Sequence, residues 1–242
     1  MLLALLGCHW LPDAGSVNRA TLSPTPRSTI RRGKKRAVNE REALDAVLDA
    51  GLICHLSVVV DGAPLVLPTG YGRDGNTLYL HGSSGARSLS AAGTSEICVA
   101  VTHLDGVVYA RSVFHHSVNY RCAVVHGQAR VLTDDADKLH GLRVLTEHLA
   151  PGSWAHTREP NRKELAQTTV LALDLTEASV KIRTGPPVDD EDDVDAGAAW
   201  AGVLPITQTW GMPVPSPDLA DGWDVPGHVT ERHLGRSDEL SA

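Results

Sequence analysis

Apolar and polar residues alternate with a period of two through the first part of the chain's middle. Residues 52–60 read LICHLSVVV, and the Asp-Gly pair that follows them is typical of a tight hairpin turn. The alternation continues through residues 63–69 and 77–81, and a second Asp-Gly pair lies between these two runs. The pattern predicts three antiparallel strands joined by hairpins.

Further strands are predicted after residue 96. A third Asp-Gly pair, at 105–106, predicts a turn between two of them. Strands joined mostly by short turns favour a small closed β-barrel over a doubly wound sheet, which needs helical crossovers between its strands. The additional strand-like runs are residues 97–102, 107–110, 120–132, 169–173 and 179–183.

Helical spacing of apolar residues is confined to four segments between or beside these strands. The fold class that follows is mainly β, a β-barrel with peripheral helices. The predicted helices are residues 40–50, 86–92, 134–149 and 163–167.

The composition fits a barrel whose core is aliphatic. Hydrophobic residues make up 42% of the 242 residues, which is enough for a packed core and excludes wholesale disorder. Aromatic residues are only 4%, with a single phenylalanine, Phe114. No apolar run approaches the roughly 18 residues of a membrane span, so we expect no membrane partner.

Charge is distributed unevenly and suggests the domain organisation. Residues 1–41 carry eight basic and two acidic side chains, whereas residues 184–242 carry two and twelve. We therefore predict a flexible basic arm at 1–38, a folded domain at 39–206 and a Pro-rich acidic tail at 207–242. A chain with a net charge of −7 is a poor general nucleic-acid binder.

The cysteines indicate a reducing compartment. Cys8, Cys54, Cys98 and Cys122 form no CxxC pair, so free thiols are expected. The opening MLLALLGC lacks a basic segment and is too short for an export signal. A cytoplasmic location follows as the expectation.

Three segments concentrate groups that could carry chemistry. The segment HGSSGARS, at 81–88, combines glycines, hydroxyls and Arg87 between a strand and a helix, a combination suited to phosphate. It is not a P-loop, and a Gly/Ser loop on its own is more often only a loop. The segment VLPTGYGR, at 66–73, has Pro68 within a strand, which indicates a sheet edge or barrel rim.

The third segment, ARSVFHHSVNYR at 110–121, is dense in polar groups just before an apolar strand. His115 and His116 are adjacent, so on a strand their side chains point to opposite faces and form a poor chelating pair. No metal-ligand spacing occurs elsewhere, and no metal site is predicted.

These segments, in this order, resemble the pyridoxamine 5′-phosphate oxidase-like FMN-binding split-barrel family, and most closely its nitroimidazole-resistance (Nim-type) branch. The resemblance covers about residues 31–206 and implies a split β-barrel homodimer with FMN in a cleft between the subunits. It is carried by LPTGYGRDGNTLYLHGSSGARS (67–88), DGVVYARSVFHHSVNYRCAVVHGQAR (105–130), KIRTGPPVDDEDD (181–193) and WAGVLP (200–205).

The resemblance also implies which residues bind FMN. Arg87 and Ser88 would hold the phosphate, and Trp200 would come from the partner chain. His81 would be the catalytic candidate, as a proton donor or substrate contact. The complete implied cofactor site is Leu67, Pro68, Thr69, His81, Gly82, Ser83, Arg87, Ser88, Ser117, Asn119, Arg121 and Trp200.

One departure from the family narrows the expected reaction. The residues after Trp200 read AGVLPITQTWG and lack the Arg/His-rich motif of true pyridoxamine phosphate oxidases. We therefore expect an FMN-dependent oxidoreductase that transfers electrons from a reduced nicotinamide, or a similar donor, to a small organic substrate. No GxGxxG motif is present, so the nicotinamide would visit transiently.

Two other functions stay open at this point. The first is a non-enzymatic flavin or haem binder or sensor, in which His81, His115 or His116 could ligate iron. The second is an interaction protein that uses its charged ends.

Overall fold

The computed structural model of the protein describes residues 21–22 and 25–234. Ten strands form one antiparallel sheet in the order β1-β9-β6-β5-β2-β3-β4-β8-β7, and β10 pairs with β5 outside this path. The strands are β1 (Ala37–Val38), β2 (Ile53–Val60), β3 (Ala63–Asp74), β4 (Thr77–Ser83), β5 (Glu96–Tyr109), β6 (Ser117–Gln128), β7 (Arg130–Val131), β8 (Thr168–Asp174), β9 (Ala178–Arg183) and β10 (Gly202–Pro205).

The sheet curls so that strands from its two ends meet around one apolar core. A Cβ atom placed on Gly127 of β6 would lie 3.0 Å from the side chain of Leu173 on β8, although these strands are five positions apart in the order. Leu56, Val99 and Val125 join Leu173 in the same fully buried cluster. The prediction of a mainly β, barrel-like fold is confirmed.

Within the described residues six helices accompany this sheet; the first four were predicted, and the last two were not. Their bounds are α1 (Arg41–Ala50), α2 (Arg87–Ala92), α3 (Asp135–Leu149), α4 (Arg162–Ala166), α5 (Glu191–Ala196) and α6 (Gly227–Leu234). None of the helices that the structure describes is long and apolar enough to cross a bilayer.

One predicted turn is wrong. Residues 105–106 lie inside β5, which runs without interruption from Glu96 to Tyr109 and has only a bulge between Leu104 and Gly106. The Asp61-Gly62 turn has positive φ at both residues, 52° and 79°, whereas Gly106 does not take a positive φ. A Cβ at Gly106 would lie 3.0 Å from the Leu204 carbonyl oxygen, so this glycine allows β10 to approach β5.

Both charged ends of the chain contact the barrel within the described residues. Arg27 forms ion pairs with Glu96 and Glu177 at 2.8 and 2.6 Å, and β1 pairs with β9. In the tail, Arg232 donates a hydrogen bond to the Leu149 carbonyl oxygen at the end of α3, which packs on the barrel. The domain boundaries at residues 38 and 206 stay a prediction.

Candidate functional site

The first group of predicted site residues lies on β3, β4 and the start of α2. Leu67, Pro68 and Thr69 are on β3, and His81, Gly82 and Ser83 end β4, which pairs with β3 further along. The loop after Ser83 uses several of its own amides: Ser84 N–H donates to the Gln167 carbonyl, and the Gly85 and Ala86 amides donate to Ser83. Phosphate binding here would therefore depend on side chains and the first amides of α2.

Arg87, the predicted phosphate ligand, has a partner that the sequence did not indicate. Its guanidinium donates a hydrogen bond to the Asp61 carboxylate, at the β2–β3 turn. Both side chains are largely exposed, and an exposed ion pair is worth little free energy. Arg87 could consequently exchange this carboxylate for a phosphate at low cost.

His81 faces away from the core, because its strand neighbours Leu78 and Leu80 are fully buried on the other face. Its imidazole makes no hydrogen bond to any described residue. Partial desolvation lowers the pKa of His81 below its ordinary value of 6.5. The side chain is therefore neutral at pH 7.

An outer face of the sheet next to this group is open to solvent. His55 of β2 lies between Pro68 of β3 and Ala100 of β5, and Val66 beside them is 58% exposed. A Cβ at Gly70 would meet no atom within 4 Å, which leaves flat, accessible backbone. We call this surface the bare face: Ile53, His55, Ser57, Val59, Val66, Pro68, Gly70, Cys98, Ala100, Val124 and His126.

The second group of predicted residues lies on β6 and just before β10. The Asn119 side chain is buried, accepts a hydrogen bond from Arg183 and donates one to the Gly185 carbonyl oxygen at 3.1 Å. Arg121 holds Asp105 through its Nε and Nη2 atoms at 3.0 and 2.9 Å. Trp200 is 70% exposed, with its ring 5.9 Å from that of Tyr109.

The structure does not bring the two groups together within one chain. Strand pairing places Pro68 level with Val124 of β6, three strands away, which is about 14 Å across the sheet. Ser117 begins β6 seven residues before Val124, about 23 Å further along the strand. A flavin ring that contacts Pro68 therefore cannot also contact Ser117 of the same protomer.

Two features beside the second group were missed by the sequence analysis. The Arg111 amide and guanidinium hold Asp189 at 2.9 and 2.8 Å. Burial alone would raise the pKa of Asp189, but these hydrogen bonds and the charge of Arg111 lower it overall. The other feature is a basic cavity formed by residues 32–36 and Lys181, whose only sequence signal was the run RRGKKR. No group of three or more histidine, cysteine, aspartate or glutamate side chains in the described ranges could hold a metal ion.

Comparison with known proteins identifies the family to which this chain belongs. The family model described as "Pyridoxamine 5'-phosphate oxidase" matches residues 40–182. The chain belongs to this family. Within the pyridoxamine 5′-phosphate oxidase family, the flavocytochrome Anf3 from Azotobacter vinelandii is 37% identical, with 87% of this chain and 98% of that chain covered and a TM-score of 0.83.

A second solved structure is similar over nearly the same span. The FAD and haem binding protein from Mycobacterium smegmatis is 39% identical, with 82% of this chain and 97% of that chain covered and a TM-score of 0.78. A Bacteroides thetaiotaomicron protein named for 5-nitroimidazole antibiotic resistance shares the fold at 16% identity, with 60% and 86% covered and a TM-score of 0.53. No curated protein sequence matches.

Proposed function

We propose that this protein is a flavin-binding oxidoreductase that works as a homodimer. The observation that carries the proposal is the pair of relatives at 37% and 39% identity over more than four-fifths of the chain, one a flavocytochrome and one an FAD and haem binder. The reaction is electron transfer from a reduced nicotinamide or similar donor to a small organic molecule.

The flavin site is assembled from two protomers. β3, His81 and the β4–α2 loop of one chain hold the ring and its first phosphate, with Arg87 and Ser88 on the phosphate. Ser117, Arg121 and Trp200 come from the partner chain. This arrangement is supported by the separation of the two groups within one chain, and by the bare face, an exposed partly apolar surface of the kind that protomers bury.

The residues present fit a flavin. Gly70 leaves open space over the backbone of β3, which admits a planar ring, and Arg87 carries a guanidinium fork suited to phosphate. The flavin, when bound, supplies hydride and single-electron chemistry. His81, neutral at pH 7 because desolvation lowers its pKa, serves as a hydrogen-bonding contact for ring or substrate rather than as a standing positive charge.

We infer FAD rather than the FMN that the sequence led us to expect. The Mycobacterium smegmatis relative is named for FAD, and this chain is 39% identical to it over the 82% of the chain that is covered. FMN binding alone is the alternative outcome.

A second function, haem binding, is favoured by the names of the same two relatives and by unpartnered histidines. Among the histidines whose side chains the structure describes, the imidazoles of His55, His81 and His126 donate no hydrogen bond to a described protein group and accept none. His55 and His126 lie on the bare face next to apolar side chains. An imidazole beside apolar surface is a suitable axial ligand for haem iron.

Absorption spectroscopy and mass spectrometry of the cofactor released from the purified protein test the proposal. We expect a yellow protein that releases FAD, with a Soret band in addition if haem is bound. FMN as the only flavin would correct the cofactor. A colourless protein that takes up neither flavin nor haem would overturn the proposal.

A further inference from the structure

A strongly basic cavity lies at the end of the barrel where β1 pairs with β9. Its volume is about 510 Å³, and no carboxylate lines it. Its lining consists of one glycine and five positively charged side chains: Arg32, Gly33, Lys34, Lys35, Arg36 and Lys181.

These five side chains differ from eight arginines elsewhere in the described residues that are paired with carboxylates. None of them lies within 4 Å of a described carboxylate, although the chain has 29 acidic and 22 basic residues. Eight arginines elsewhere in the described residues form ion pairs with carboxylates, whereas here five cations without such a partner line one cavity together. The paired arginines are Arg27, Arg41, Arg73, Arg87, Arg111, Arg121, Arg130 and Arg158.

The backbone fixes this cluster of charges against the barrel. Ala37 of β1 pairs with Lys181 of β9, and the Arg36 amide donates to the Gly33 carbonyl oxygen at 2.9 Å. Gly33 has a φ of 67°, and a Cβ there would lie 3.4 Å from the Lys181 ammonium nitrogen. Glycine thus lets the turn close tightly over Lys181, and the cations are held together despite their repulsion.

A second cavity, of about 660 Å³, adjoins the first and shares Lys35 and Arg36 with it. Phe114 lies on its wall and is 89% exposed. Val188 and Ile182 add apolar surface. An exposed aromatic ring next to a cluster of cations is the combination that a nucleotide needs, with its base stacked on the ring and its phosphates among the cations.

We propose that the basic cavity binds the phosphates of a nucleotide whose base stacks on Phe114. The shared chemistry is an adenosine diphosphate group, which could belong to a flavin dinucleotide or to a nicotinamide dinucleotide. Only the first of these sources rests on the proposed flavin function.

Binding of ADP, measured by isothermal titration calorimetry, tests the site. We compare the wild-type protein with Lys35→Glu/Arg36→Glu, two exposed positions that line both cavities. The matched control is Arg162→Glu/Lys163→Glu, which makes the same charge change at exposed residues of α4. The cavity variant should bind ADP at least about tenfold more weakly, and the control within about twofold of wild type.

A third variant separates the two parts of the site. Phe114→Ala should weaken ADP binding about tenfold and leave the binding of inorganic pyrophosphate unchanged, because only the base stacks on the ring. If ADP binds neither to the flavin-free nor to the flavin-loaded protein, or binds equally to the cavity variant and its control, the proposal is overturned.

Competition distinguishes the two sources of the nucleotide. If the group belongs to the resident flavin dinucleotide, FAD displaces ADP, and the cavity variant loses affinity for FAD but not for FMN. If it belongs to a nicotinamide dinucleotide, ADP binds to the flavin-loaded protein and competes with NADPH or NADH. A protein that binds ADP in this cavity but binds no flavin would refute the proposed function and leave this site intact.

Discussion

The outer side of the sheet has two halves, one covered by helix α3 and one, the bare face, that no described element covers. Over the end of β3, β4 and β8, helix α3 packs so closely that a Cβ at Gly72 would lie 2.7 Å from the Val144 carbonyl oxygen. A Cβ added at Gly141 of α3 would likewise lie 2.9 Å from a side-chain atom of Tyr79 and 2.9 Å from one of Val170. Over the bare face, a Cβ at Gly70, only two residues before Gly72, would meet nothing.

The two halves of the sheet therefore differ in what they pack against. The covered half completes the protomer's own packing, since Val170 there is fully buried. The bare face leaves apolar side chains and unpartnered histidines in water, which is unfavourable unless another molecule covers them. The covered half therefore serves folding, and the bare face is the surface on which the proposed dimer and cofactor sites depend.

The largest effect is expected when charge is placed on the bare face. Val66→Glu should raise the dimer dissociation constant by more than about 100-fold, because it would bury an unpaired carboxylate in the interface. Analytical ultracentrifugation measures this. The control Val214→Glu changes an exposed tail residue and should leave the dimer intact. Equal dissociation constants for both variants would remove the bare face from the interface.

A smaller effect is expected from placing a methyl group where β3 and α3 are already in close contact. Gly72→Ala should lower the free energy of unfolding by about 2 kcal/mol, because the backbone of α3 has to move away. Gly70→Ala, on the same strand, should change it by less than about 0.5 kcal/mol. Urea unfolding of the flavin-free proteins compares the two. Equal losses would show that α3 is not closely packed here.

Variants of Arg87 and Asp61 test the proposed contact between Arg87 and the flavin phosphate. Arg87→Ala should weaken flavin binding about tenfold, because a charge-assisted contact with the phosphate is lost. Asp61→Asn should leave binding unchanged or strengthen it, since the competing carboxylate is gone and asparagine tolerates the φ of 52°. Flavin fluorescence titration measures both. Unaltered affinity in Arg87→Ala would place the phosphate elsewhere.

The smallest effect concerns pH. Burial lowers the pKa of His81 and of His148 in the folded protein. Below about pH 6.5 the unfolded chain therefore binds more protons than the folded protein. The contribution of these two histidines to the free energy of unfolding is complete above that pH, and it decreases as the pH falls toward their folded pKa values. Urea unfolding at pH 7 and pH 5 should show a smaller loss for His81→Gln than for wild type. An identical loss would mean that His81 does not contribute.

The strands could be predicted from the sequence because their signal is local. Alternation of apolar residues and the positive φ of the Asp61-Gly62 turn are properties of neighbouring residues. The Asp-Gly pair at 105–106 misled because its conformation is set by β10, about a hundred residues later in the chain.

The candidate site was harder to predict, because the residues that contact its side chains are distant from them in sequence. Nothing near Arg87 in the sequence identifies Asp61, and nothing near Asn119 identifies Arg183 as the group that occupies its side chain. The basic run at 31–36 was predicted to belong to a flexible arm, and the cavity that it lines could not be predicted because β9 brings Lys181 beside it only in the fold. The Asp189 carboxylate, one of many acids in a charged segment, becomes distinct only when Arg111 encloses it.

The most direct test of the central claim, a flavin site shared by two protomers, is the flavin content of a mixed dimer. Arg87→Ala and Arg121→Ala each damage one of the two groups, and homodimers of either variant should hold flavin weakly at both sites. A purified dimer with one chain of each kind has one intact site and one doubly damaged site. It should therefore retain about one tightly bound flavin. If the mixed dimer is as depleted of flavin as its two parents, the site is not shared and the account is wrong.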